Sequence, residues 1–302
     1  MRSCLFALLV FPALFGQSPA ANVVTSVGYS APLPIAVAPG QVITLFVRTA
    51  SIHLDAPVLA GVPPLPSTLA GFSVGLNQTF ASQEQPVPIL SAAPAVRCTA
   101  VNPVVCNTFT ALTVQIPFEL QPNFEDSRLP ANFATLVVYE NGAAGDPLLL
   151  NPVFARIHVV TSCDSTDVNV NPPCVPLVLH ADGSPVTLQK PAKTQELLSV
   201  KLYGVGKADS NIASGAKPAA AIPVSGISLY AGFGNGVVEL PVVSTALSSD
   251  AVGLYTLVFR APSLPQGTPA CAAEGVTNAT NVNISVLRGT TTSLDAAAIC
   301  VQ

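Results

Sequence analysis

Leu112-Thr113-Val114-Gln115-Ile116 and Val282-Asn283-Ile284-Ser285-Val286 alternate apolar and polar residues, and neither has a helical period beside it. A period of two turns one face of a strand toward a core and the other toward water, which no helix can do. Nowhere does the chain set apolar residues at i, i+3, i+4 and i+7 between proper caps, so it is confined to strands and turns. Its 29 prolines are roughly double the usual share and push the same way. The predicted fold is all-β with very little helix.

The strands expected in the first half are 41–48, 71–77, 110–117, 133–140 and 153–160. Those expected in the second are 196–203, 226–231, 237–243, 253–260, 281–287 and 294–301. Pro39-Gly40 and Asn141-Gly142 punctuate them as turns. The proline-rich stretch from Val58 to Pro66 reads as a loop or an edge excursion. Between the halves, Thr161 to Pro176 turns polar and acidic and ends near Pro172-Pro173, marking a linker. Many short strands at this spacing predict two tandem antiparallel immunoglobulin-like β-sandwiches, at 21–160 and 177–302, with 161–176 between them. Asp250, Gly253 and Tyr255 resemble a tyrosine corner, whose hydroxyl bonds back to nearby backbone.

Residues 1–20 read as a signal peptide: Arg2 is the positive start, Cys4 to Phe15 the apolar stretch, and Ala20 the cleavage position. No later stretch is apolar enough for a membrane helix, so the mature chain is expected to be secreted or periplasmic, without a transmembrane anchor. Of seven cysteines, Cys4 leaves with the signal peptide. An even number in an oxidising compartment reads as disulfides, and local spacing favours Cys98–Cys106, Cys163–Cys174 and Cys271–Cys300. A zinc site would need ligand spacings that these cysteines and the three histidines lack. Charged residues are only 9% of the chain and the net charge is -4 without a basic cluster, which argues against nucleic acid as a partner.

Three segments carry a family resemblance: Val37-Ala38-Pro39-Gly40-Gln41-Val42-Ile43-Thr44-Leu45-Phe46, Leu112-Thr113-Val114-Gln115-Ile116-Pro117-Phe118-Glu119-Leu120, and Val252-Gly253-Leu254-Tyr255-Thr256-Leu257-Val258-Phe259-Arg260-Ala261-Pro262. Through them the chain resembles the Solibacter-type C-terminal domain of secreted acidobacterial proteins, itself similar to IPT/TIG-type immunoglobulin folds. The resemblance implies β-sandwich packing and supplies no catalytic residues.

Candidate chemistry is sparse. His53, His158 and His180 are the only histidines, no Gly-x-Ser-x-Gly elbow accompanies them, and His158 reads as a strand residue. Glu119, Glu125 and Asp126 form the densest acidic group, the place where a secreted hydrolase would keep its paired carboxylates. Asp164, Asp167, Asn169 and Asn171 offer hard oxygens for calcium; the plainer reading is a polar turn clamped by Cys163 and Cys174. Gly204-Val205-Gly206-Lys207 and Gly232-Phe233-Gly234-Asn235-Gly236 lack phosphate-loop spacing and read as turns. The expectation is a non-catalytic structural or recognition module with no cofactor beyond that calcium candidate. Its partner would be an envelope or extracellular protein or glycan; the alternative is a hydrolase acting around Glu119 to Asp126.

Overall fold

The computed structural model describes residues 23–27, 35–79, 81–98, 106–123, 132–164, 174–233, 236–271, 280–293 and 296–302. Every regular element among them is a strand. The signal-peptide residues lie outside this set.

Four sheets form two sandwiches. In the first, one sheet runs in the order Val23–Val27, Val42–Arg48, Cys106–Gln115, Ile89–Cys98, Val58–Leu59. The facing sheet runs Ile35–Val37, Leu148–Pro152, Ala134–Glu140, Phe72–Gln78, Thr68–Leu69. Pairing is antiparallel except between Ile35–Val37 and Leu148–Pro152, which are parallel. Ile43, Leu45, Leu112 and Val114 of one sheet meet Phe72, Leu76, Leu136 and Val138 of the other in a single core. The second sandwich stacks Leu197–Tyr203, Tyr255–Arg260 and Val242–Leu247 on Ile227–Phe233, Val282–Arg288 and Gly236–Leu240. Its core gathers Leu198, Val200, Leu202, Tyr255, Leu257 and Phe259 against Leu229, Ile284 and Val286.

Alternation explains these strands. Ala134–Glu140 buries every second residue, and Val282–Arg288 does the same. Leu112 to Ile116 breaks the rule at one place: Gln115, expected to face water, is fully buried. Its Oε1 accepts the Gly215 N–H at 2.6 Å, so the second sandwich covers that face. Nearby, the Leu65 N–H donates to the Gly215 carbonyl at 2.8 Å and the Phe118 N–H to Ser214 Oγ at 2.8 Å. Phe118 itself, a first-half residue, packs in the second core. Gly253 completes the joint. It has a φ of +67°, and a Cβ there would lie 2.7 Å from the Gly40 carbonyl oxygen and 2.8 Å from Val42 Cγ2. Only glycine fits such a backbone at so close an approach.

Several expectations need correction. The segment 153–160 is not a closing strand of the first half. Only His158–Val159 is a strand, and it pairs with Leu202 and Tyr203 of the second. Ala155 and Ile157 already belong to the second core, while the Val153 N–H still bonds Val37 of the first, so the chain crosses at Phe154. The segment 161–176 then closes on itself within the second half. Thr161 bridges Pro176, and the Ser162 N–H donates to the Val175 carbonyl at 2.8 Å. Polar, proline-rich composition marked a loop without saying which side of the crossing held it. The expected strand 237–243 is two, Gly236–Leu240 and Val242–Leu247, in different sheets on either side of Pro241. Three strands of five or more residues escaped the pattern, Val23–Val27, Ile89–Cys98 and Leu148–Pro152, along with several shorter ones. Finally, Tyr255 is not a local corner, for its hydroxyl donates to the Gly206 carbonyl on a distant loop.

Truncating Phe118 removes the side chain that one half lends the other. Phe118→Ala should cost about 3 kcal/mol or more and split thermal unfolding into two transitions by calorimetry. A single transition with an unchanged midpoint would show that the joint is passive.

Candidate functional site

Each histidine has a definite place. His180 ends the short strand Val178–His180, its ring buried; Nδ1 faces Glu196 Oε1 at 2.6 Å and Nε2 faces the Lys190 carbonyl at 3.2 Å. With both nitrogens engaged, this ring has no site left for moving a substrate proton. The Glu196 carboxyl is held below its ordinary range by the Lys193 N–H first and by His180 next, against the opposing effect of burial. His158 is buried too, and its Nε2 meets Asp164 Oδ2 at 2.9 Å. The same oxygen accepts the Thr161 N–H at 2.6 Å and the Thr161 hydroxyl at 2.8 Å. Burial opposes ionisation of Asp164, but His158 and Thr161 outweigh it and lower its pKa. Burial, together with the Asp164 charge, pushes the Tyr203 phenol up to about 12. His53 is 82% exposed, 3.7 Å from Asp55. The pairs His158–Asp164 and His180–Glu196 were missed by sequence reasoning, which weighed each histidine alone.

Two further buried polar groups serve the scaffold. Glu140, at the end of its strand and almost wholly buried, accepts the Ala50 N–H at 2.8 Å and the Ser51 N–H at 2.5 Å. The Ile52 N–H and the Ser51 hydroxyl also donate to it. Burial alone would raise this carboxyl; the three successive N–H donors overcome that and lower it. Arg288 donates from Nη1 to the Val205 carbonyl at 2.6 Å and lies 4.8 Å from the centre of the Phe154 ring. It clamps the segment Gly204 to Gly206, where Gly206 has a φ of +94° and no room for a Cβ beside the Phe154 carbonyl. That segment is close-packed but irregular, not the turn expected, while Phe233 pairs with Gly236 in the other glycine-rich segment.

The polar concavity of interest lies at the joint. A cleft of about 450 Å³ opens between Phe118, Glu119 and Gln121 of the first half and Lys207, Ser210 and Asn211 of the second. Glu119 Oε2 accepts the Ser214 hydroxyl, whose oxygen in turn accepts the Phe118 N–H. Of the expected acidic group only Glu119 is here; Glu125 and Asp126 lie outside the described residues. Glu119 is the one described member of that trio, and its carboxylate is already hydrogen-bonded across the joint. The opposite wall, Lys207 to Asn211, is a mostly polar run that no expected site included.

Cys163–Cys174 and Cys271–Cys300 are disulfides, with Cα separations of 5.3 and 5.7 Å. Cys98 and Cys106 stand opposite each other in the hairpin register, and Cys106 is disulfide-bonded. Among the calcium candidates, Asp164 spends Oδ2 on His158 and Thr161, while Asp167, Asn169 and Asn171 lie outside the described residues. No cluster of three metal-binding side chains occurs among the described residues. No helix among them is long and apolar enough to cross a membrane.

No family model matches this chain, and no curated protein does. A solved fragment described as "Anomalous substructure of Titin-A168169" covers 93% of this chain and 99% of its own, at 10% identity and a TM-score of 0.19. At that score the likeness carries no argument.

The Glu140 geometry fixes a sign. Its folded pKa lies below the ordinary 4.5, so its contribution is present above that pH and lost as pH falls through the folded value. Glu140→Gln should cost about 1–3 kcal/mol at neutral pH and flatten the acid limb of a stability-versus-pH curve measured by urea denaturation. An unchanged acid limb would mean that the three N–H donors do not depend on the charge.

Proposed function

We propose that this chain is an exported, non-catalytic β-sandwich protein, a structural or recognition module of the cell envelope or exterior. The observation that carries the reading is where the buried and partly buried ionisable groups are spent. His180, His158, Glu196, Asp164 and Glu140 each hold a turn or strand end through short hydrogen bonds. Chemistry committed to holding loops is unavailable for turnover. The disulfides fit an oxidising compartment. Kinship with the Solibacter-type acidobacterial domains belongs to the same proposal. The three segments of that resemblance fall on or beside Val42–Arg48, Cys106–Gln115 and Tyr255–Arg260, interior strands of their sheets.

The test is a pull-down with the mature chain from its own envelope fraction, alongside a broad panel of hydrolase substrates. A reproducible protein or glycan partner with no turnover is the expected result. Turnover lost in Glu119→Gln would overturn the reading in favour of a hydrolase.

A further inference from the structure

Gly236–Leu240 is an edge strand with one exposed charge, Glu239, and none of the other usual protections. The other edges among the described strands are short or irregular, and the open side of Ile89–Cys98 beyond Ala92 carries Pro94. Val58–Leu59, Thr68–Leu69, His158–Val159, Ile222–Pro223 and Thr291–Thr292 have two residues each, and Ile35–Val37 has three. Val23–Val27 carries a register shift against its neighbour. Gly236–Leu240 has five residues, no register shift, and neither lysine nor proline inside it. Natural sheets blunt or cover edges because free N–H and C=O groups recruit other strands. Val237 is 71% exposed and Val238 50% exposed, so no described residue covers this one.

The free groups can be located. Phe233 pairs with Gly236, Ala231 with Val238 and Leu229 with Leu240. Across a two-residue connection these are the hydrogen-bonded pairs, so the N–H and C=O of Val237 and Glu239 point away from the sheet. Neither residue makes another backbone bond to a described residue. Val238 shares its face with Leu240, which is in the core. Val238 is thus the last core-facing side chain of its strand, left half open at the rim.

We infer that this edge joins a second copy of the same chain, antiparallel across a two-fold axis through Val238. The free groups lie symmetrically about that residue. Val237 of each copy then exchanges both backbone bonds with Glu239 of the other, and the two Val238 side chains meet in the close, non-hydrogen-bonded position. Charge selects the register, because a shift that opposes Glu239 to Glu239 sets like charges face to face. Pro241 ends the pairing on one side and the hairpin tip ends it on the other. With a net charge of only -4 and 9% charged residues, repulsion between copies is weak. The result is one continuous sheet through both molecules, an interaction beyond the recognition role proposed above.

Sedimentation equilibrium of the mature chain over a micromolar-to-millimolar series tests this directly. The expected result is a reversible dimer that Val238→Lys abolishes while circular dichroism and melting midpoint stay unchanged. Under mild oxidation Val238→Cys should crosslink about tenfold faster than Val237→Cys, since the two-fold axis sets Val238 against its own copy and Val237 against Glu239. A chain that stays monomeric throughout overturns the inference, as does a dimer indifferent to Val238→Lys. Slow amide exchange at Val237 and Glu239 in a monomer overturns it too, by placing a different segment on the edge.

Discussion

A buried carboxamide and a ring that enters the opposite core anchor the joint between the two sandwiches, beside the Leu65–Gly215 and Ser214–Glu119 bonds. Gln115 is buried on the face of a strand that would otherwise meet water, and it spends its oxygen on the Gly215 N–H. Phe118, a few residues on, leaves its own half for the core of the other. Buried polar groups are costly unless paired. The Gln115 oxygen is paired across the joint while its Nε2 has no partner among the described residues, so this glutamine specifies one arrangement of the halves at a cost in burial. Gly253 matters for a related reason: any side chain there would push the second half off the Gly40 turn.

The same logic runs through the ionisable groups. A chain with few charges has placed several inside or at the rim of its cores, each with a structural partner. Glu140 gathers the turn at residues 50–52. Glu196 and His180 pin the turn before Leu197–Tyr203. Asp164 and His158 fasten the disulfide-closed excursion to its sheet. What the molecule turns outward is a polar cleft at the joint and an open strand edge, surfaces suited to holding a partner.

Alternation made much of this legible in advance. Ala134–Glu140, Leu197–Tyr203 and Tyr255–Arg260 fall within a residue or two of their expected bounds, because one buried face writes itself into the sequence. Local cysteine spacing likewise led to the two disulfide pairs. Ile89–Cys98 was invisible for a physical reason: Ser-Ala-Ala-Pro-Ala has little strand preference of its own. It is a strand because Cys106–Gln115 pairs along its whole length. Pro94 is tolerated there since the other side of the strand is paired only at Ser91 and Ala92. Burial of Gln115 and the distant bond of Tyr255 depend on the meeting of remote segments, which no local pattern encodes. The candidate sites were the least legible part, for the pairs His158–Asp164 and His180–Glu196 arise only once turns fold back.

The joint is as solid as the cores beside it. Native-state hydrogen exchange on the mature chain measures this residue by residue. The Gly215 and Phe118 amides should exchange as slowly as those of Leu112 and Leu257, through global unfolding alone. If those two amides exchange at the rate of exposed loops while the core strands stay protected, the two halves are only loosely tethered and the account is wrong.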